Sequence, residues 1–523
     1  MNYKLLLPFL AVAFTAQAQD TYTDERITNN SGDVIGTARY VGMGGALGAL
    51  GADISVISWN PAGIGLYRKN DIALTFGGTW GKSYIAEENR GRATFDQIGF
   101  VYNMPIEGEA CRYVNFSFNF QKKINFNQNF YASNGNLGGL SQMDQLAELT
   151  DYYYEDKDGY WPKYQLSTLA LRDNYFKAAT DAVGNYNYND YPSSSNFYTH
   201  HSEGSLQSFD FNLSTNIKNR AFLGLTVGVD NMRYRGWDVY GEDDMNGVER
   251  YDLLRDLYIS GTGVNVKLGT IVRPFESNSF RVGFVVETPT WYRLRNSTVF
   301  NLYDCIAGRE SARLESFLRF NIRSPWKVRT SIGSTIGSFL AWDVDYEYGA
   351  YAGTSMGYPD VVYDNGSTSG NIKDEAMNQH IRDNLRGTHT LRVGLEANAT
   401  KNLAFRVGYN LSTSAYKDNV SFDQYTLNSS AMNYATSTSY MRMGTTNILT
   451  LGMGYHAKNF YVDLAYKIRN QKADYYAFDT SFAETWNDTR FVANNPTLAD
   501  QTIAPGVVDL TRHAITCTLG FKF

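Results

Sequence analysis

Cysteine is nearly absent from this chain of 523 residues: Cys111, Cys305 and Cys517 stand far apart and cannot all pair with one another. Neither a disulfide framework nor a cysteine-based metal site is expected. Proline, at 11, and histidine, at 6, are also scarce. His200-His201, His380 and His389 offer no H-x-x-x-H pair, and no serine-nucleophile motif accompanies them. No enzyme site, cofactor or metal therefore stands out, and a lipase or acyltransferase is disfavoured. Basic residues are outnumbered, 47 to 53, for a net charge of -6, which argues against nucleic acid as a partner. Long apolar runs are missing too. After the first residues, nothing approaches the 18 or more that a membrane helix needs.

What is present points elsewhere. Lys4, the short apolar core Leu5 to Phe14 and Ala16-Gln17-Ala18 read as an export signal over 1–18, cleaved near Ala18. Aromatic residues make up 15% of the chain, with 39 Tyr, 30 Phe and 46 Gly beside them. An exported chain with that composition and no membrane helix suggests a β-protein with an aromatic surface, as outer-membrane barrels are.

Period-2 alternation supports this. Ile515, Cys517, Leu519, Phe521 and Phe523 alternate with small or polar residues up to the last position. Leu403, Phe405, Val407 and Tyr409 follow Leu391, Val393 and Leu395 across a turn at Thr400-Lys401-Asn402. The rule gives about fourteen strands, near 71–80, 95–104, 112–122, 206–217, 221–233, 262–273, 280–288, 326–335, 341–350, 388–398, 403–413, 446–456, 459–469 and 510–523. Connections alternate short and long, the long ones including 123–205, 234–261 and 289–325. Short periplasmic turns and long extracellular loops produce that rhythm. The expected fold is an all-β transmembrane antiparallel barrel over 71–523, in the outer membrane of a Gram-negative bacterium. A helical-looking stretch, Leu140 to Tyr152, interrupts the longest loop.

The segment before the first strand carries "GMGGALGALGADISVISWNPAGIGLYR", Gly42 to Arg68. It is not a dinucleotide loop: Pro61 would break the helix such a loop must open, and no βα alternation follows. Fourteen strands leave a lumen that must be open or plugged. Glycine and alanine let backbone pack closely, and Asn60-Pro61 folds the segment back. Residues 19–70 therefore read as a hatch inside the lumen. A flexible periplasmic tail fits poorly with Ile57, Trp59 and Leu66.

Three features carry a resemblance to a known family: Gly42, Gly44 and Gly45 of "GMGGA", the acidic Asp53, and "NPAG" (Asn60, Pro61, Ala62, Gly63). Together they resemble the N-terminal hatch of the FadL/TodX long-chain fatty acid and hydrocarbon transporters. "RVGFVVETPTWY" and the terminal Phe523 are similar to that family's barrel strands. The resemblance implies a monomeric fourteen-stranded barrel plugged by a hatch, with passive uptake of a hydrophobic small molecule. Phe521 and Phe523 are then the C-terminal signal read by the barrel assembly machinery, and outer membrane lipids surround the wall.

Polar faces should point into the lumen. Lys267, Arg281, Glu287, Asp343, Asp345, Glu347, Arg392, Glu396, Arg406, Asp463 and Lys467 then form a charge network joining barrel and hatch. Alternatively, Arg392 or Arg406 meets a ligand carboxylate. Two other functions stay in view: an acceptor for cargo of a protein secretion system, which long Tyr-rich loops would suit, and a general porin, which a hatch argues against.

Overall fold

The computed structural model describes residues 33–81, 91–106, 111–150, 153–156, 159–162, 165–175, 177–180, 186–189, 192–363, 366, 368–418, 429, 436–479 and 503–523. The expected export signal and the first part of the expected hatch lie outside the described residues.

Fourteen antiparallel strands close into a barrel. They are β1 Asp71–Gly81, β2 Arg92–Pro105, β3 Cys111–Asn125, β4 Ser193–Ile217, β5 Ala221–Asp244, β6 Glu249–Val272 and β7 Arg281–Glu287. Then come β8 Lys327–Ile336, β9 Leu340–Gly349, β10 Thr388–Asn398, β11 Leu403–Ser412, β12 Tyr440–His456, β13 Phe460–Tyr476 and β14 Arg512–Lys522. Each pairs with its sequence neighbour, and β14 returns to β1 from Asp71↔Lys522 to Gly81↔Arg512, so the ring leaves no free edge. Between β4 and β5, Lys218 and Asn219 both take positive φ, 51° and 56°. That geometry matches the right-handed twist of a tight hairpin.

Every strand of the ring contributes outward apolar side chains, among them Ile72, Phe100, Phe116, Leu213, Leu225, Leu268 and Phe284 on β1 to β7. Ile332, Tyr346, Leu395, Val407, Leu451, Leu464 and Leu519 continue the belt on β8 to β14. Water does not tolerate a continuous apolar girdle of this kind, and a bilayer requires one. Phe521 and Phe523 end it, their rings 5.8 Å apart.

One expectation needs correcting. The connections at 234–261 and 289–325 are mostly strand. β4, β5 and β6 run 25, 24 and 24 residues, more than twice the length a bilayer requires. Beyond a break at Thr288-Pro289-Thr290, Trp291–Asp304 continues the line of β7 along β6 and pairs with Leu314–Arg323. The wall therefore rises far above the membrane on this side. His200 and His201 lie within β4 rather than before it, and His200 is bonded to Asp238.

Four helices accompany the ring among the described residues: α1 Ala38–Gly42, α2 Gln142–Thr150, α3 Gln165–Arg172 and α4 Glu375–Asn384. Here α2 answers the helical stretch expected over Leu140 to Tyr152, whose residues 151–152 lie outside the described residues. Three core clusters result among the described residues. One surrounds the segment 34–67 at membrane level, a small one joins Ala62 to Phe222 and Ile271, and the third fills the raised part of the barrel around α2 and α3.

Candidate functional site

Residues 34–67 occupy the lumen, and almost all of them are buried. The segment is built from tight turns. Thr37 caps α1 by accepting from Tyr40 N, and its hydroxyl donates to both Asp53 oxygens at 2.8 Å. Asp53 also accepts Ser55 N at 2.9 Å, so this acid clasps two turns of the hatch to each other. Asn60 opens the turn Pro61–Leu66: its Oδ1 accepts Ala62 N, and its Nδ2 donates to Gly48 O at 2.7 Å.

Glycine decides how close hatch and wall can come. Gly44, at φ +65°, lies against Gly408 of β11. A Cβ on Gly408 would stand 2.1 Å from Gly44 N. Pro61 packs against Gly224 in the same way, a Cβ there reaching its carbonyl carbon at 2.3 Å. Ala62 is fully buried against Phe222 and Ile271, and Gly63 against Val56 and Gly51.

The glycine-rich loop does bind an anion, and the barrel wall supplies it. Asp345 of β9 accepts Gly48 N at 3.1 Å and Trp59 Nε1 at 2.7 Å. Asp343 accepts Ala49 N at 3.0 Å and Leu50 N at 2.7 Å. Successive backbone N–H groups form a concave donor surface that favours negative charge. In this lumen two fixed carboxylates fill it.

Arginines complete the seal. Arg406 donates to Glu396 and Asp463, both at 2.6 Å. Arg39 of α1 reaches the same Glu396 at 2.9 Å, so one carboxylate ties hatch to wall. Arg392 lies over the Trp59 ring at 3.5 Å and donates to Tyr40 Oη at 2.7 Å. Arg329 covers Trp59 at 4.3 Å and pairs with Glu287 and Glu347. Removing one partner of such a buried pair costs about 3–5 kcal/mol. Both arginines singled out from sequence thus contact the hatch or its anchoring carboxylates.

Two polar cavities flank the hatch. A small one of about 80 Å³ is lined by Tyr40, Trp59, Lys267, Glu287, Arg329 and Arg392. A larger one of about 590 Å³ faces the short turns and is lined by Arg39, Asp53, Asp71, Glu396, His456 and Asp463. Neither suits an apolar chain.

The raised half of the lumen is different in kind. Leu253, Leu257 and Ile259 of β6 point inward with Phe300, Leu302, Leu318 and Phe320 from the continuation strands. Leu146 and Leu149 of α2 and Leu166 and Leu169 of α3 pack on them. One buried acid anchors this insert. Glu242 of β5 accepts Ser141 Oγ at 2.6 Å, Gln142 N at 2.7 Å, Ser193 Oγ at 2.6 Å and Tyr240 Oη at 2.5 Å. It neutralises the N-terminal end of α2, where backbone donors lack helical partners. Sequence reasoning missed Glu242 because its partners lie up to 101 residues away. On the outer rim Glu249, Asp252 and Cys305 cluster, with burial holding the Cys305 thiol up at about 12.

No protein-family model matches this sequence, and no curated protein matches it. Solved structures do resemble the chain. A Pseudomonas aeruginosa FadL homologue aligns over 94% of this chain and 98% of its own, at 12% identity and a TM-score of 0.49. The Ralstonia pickettii toluene transporter TbuX aligns over 94% and 99%, at 13% identity and a TM-score of 0.46. The P. putida toluene transporter TodX covers 94% and 99%, at 8% identity and 0.46. These are the kind of protein that the Gly42–Gly63 motif resembles.

Proposed function

We propose that this chain is an outer-membrane transporter for passive uptake of a hydrophobic small molecule, long-chain-fatty-acid-like, through a hatch-plugged barrel. The observation that carries the reading is the apolar inner wall above the membrane, Leu253, Leu257, Ile259, Phe300, Leu302 and Phe320, packed against a helical insert rather than water. A general porin needs a polar, water-filled lumen. An apolar ligand that takes the insert's place against this wall gains roughly 25 cal/mol per Å² of apolar surface buried. The hatch motif, Gly42, Gly44, Gly45, Asp53, Asn60, Pro61, Ala62 and Gly63, acts as the closure below. Arg392 and Arg406 are the candidates to meet a ligand carboxylate, Arg392 lining the small cavity beside Trp59 and Arg406 lying between Glu396 and Asp463. The barrel works as a monomer, inserted through the Phe521 and Phe523 signal.

The test is binding of a labelled long-chain fatty acid to the purified barrel in detergent. The arms are the intact chain, a chain lacking residues 19–63, and Leu257→Asp. Saturable binding that Leu257→Asp abolishes supports the reading. Absence of binding by the intact chain overturns it.

A further inference from the structure

Outward positions just above the apolar belt are not alike around the barrel. On two stretches of the wall they are aromatic or histidine: Trp80 stacks on His513 at 5.7 Å, and Tyr346 Oη contacts His389 Nδ1 at 2.7 Å. Such side chains suit a membrane interface without selecting a lipid. On the tall side, β5 and the two continuation strands place five arginines there.

Register places these arginines together. Arg233 of β5 stands opposite Ser260 of β6, Ser260 opposite Arg295, and Arg295 opposite Arg319. One lateral row thus carries three arginines across four strands. Arg293 lies in the next row down, and Arg323 in the row below it, opposite Trp291, where Val264 of the same row tops the apolar belt. Arg233, Arg293, Arg295 and Arg323 are exposed, and Arg319 is half-buried.

Their partners are few. Arg295 Nε donates to Ser260 Oγ at 2.8 Å, Arg293 Nη1 to Thr368 O at 3.0 Å, and the Arg319 guanidinium lies 5.5 Å from the Phe317 ring centroid, beside Gly366. Among the described residues none of the five is paired with a carboxylate. One row higher the fold does supply one: Asp256 holds Arg235 at 2.8 Å. Like charges placed directly opposite in a sheet repel, and Arg295↔Arg319 is such a pair. Guanidinium groups in a cluster match phosphate oxygens in geometry and charge.

We propose that this face binds a phosphate-bearing anionic lipid of the outer leaflet, its phosphates among Arg233, Arg295 and Arg319 and its acyl chains on the belt below Trp291. Height selects a lipid over a soluble anion. Successive outward rows are about 7 Å apart along a strand, so the arginine row stands at headgroup level directly over bilayer-facing apolar side chains. The proposal rests on how the barrel sits in the membrane and not on what it transports.

The experiment is native mass spectrometry of the full barrel in detergent, titrated with lipid A, with dephosphorylated lipid A and with inorganic phosphate. The variants are Arg295→Ser, Arg319→Ser and the pair, with Arg220→Ser on a periplasmic turn as the matched charge control. Lipid A should bind the wild type and the control alike, and weaken roughly fivefold per arginine removed. Without lipid, Arg319→Ser should melt no lower than wild type, since it relieves repulsion. Unchanged binding by the pair variant overturns the proposal, as does equal binding of dephosphorylated lipid. Inorganic phosphate that displaces lipid A at equal concentration also overturns it, assigning the site to free phosphate. Should the pair not fold, Arg233→Ser takes its place, because its cross-strand neighbour is already serine.

Discussion

At membrane level the lumen is polar and the wall's outer face apolar; above the membrane the two faces exchange character. β6 makes the exchange within one strand. Val264, Leu268 and Val272 face out, with Asn265 and Lys267 inside. Beyond Gly261 Leu253, Leu257 and Ile259 are inside, and Leu254, Asp256 and Tyr258 face out. The surroundings explain the reversal. Lipid outside and charge-paired hatch inside require one pattern; water outside and an apolar insert inside require its mirror image. The barrel is therefore closed twice, below by a hatch hydrogen-bonded and ion-paired to a polar wall, and above by an insert packed on an apolar wall and anchored at Glu242.

The strongest way to break the lower closure is steric. Gly408→Val should prevent the hatch from seating, since even a Cβ lies 2.1 Å from Gly44 N. Overpacking of this kind costs about 3 kcal/mol or more. Limited trypsin digestion should cut the segment 34–67 in the variant and spare it in the wild type. The upper closure should respond most to Glu242→Ala, which strands several buried donors at about 1–3 kcal/mol each. The expected readout is faster hydrogen exchange in Gln142–Thr150. Leu257→Ala acts on the same half through a cavity, at about 2–5 kcal/mol, and should lower the urea midpoint without exposing the hatch to trypsin. Asp345→Asn keeps the shape below and removes one charge from two N–H donors. It should cost about 2 kcal/mol, seen as faster exchange at Gly48 and Trp59. Arg220→Ala breaks only an exposed pair with Glu276, 2.6 Å apart, and should shift stability by less than about 1 kcal/mol. Each effect should stay in its own half.

The same contrast explains what was legible in the sequence. All fourteen membrane-level strands could be read, because period-2 alternation reports one dry face directly. The upper halves of β5 and β6 could not, because the apolar phase reverses near Gly261 and a reader of alternation ends the strand there. The hatch was legible from glycine and from Asn60-Pro61, both local signals. Its anchors were not. Asp345 meets Gly48 across 297 residues, and nothing near either residue announces the other. Arg392 and Arg406 were placed correctly in the lumen, whereas their contacts with Trp59, Tyr40, Glu396 and Asp463 depend on the closed ring.

The measurement that bears most directly on two independent closures is hydrogen exchange over the whole chain in wild type, Glu242→Ala and Asp345→Asn. The account predicts that Glu242→Ala loosens Gln142–Thr150 and leaves residues 44–66 protected, and that Asp345→Asn does the reverse. If either variant loosens both segments together, the lumen has a single cooperative plug, and the division argued above is wrong.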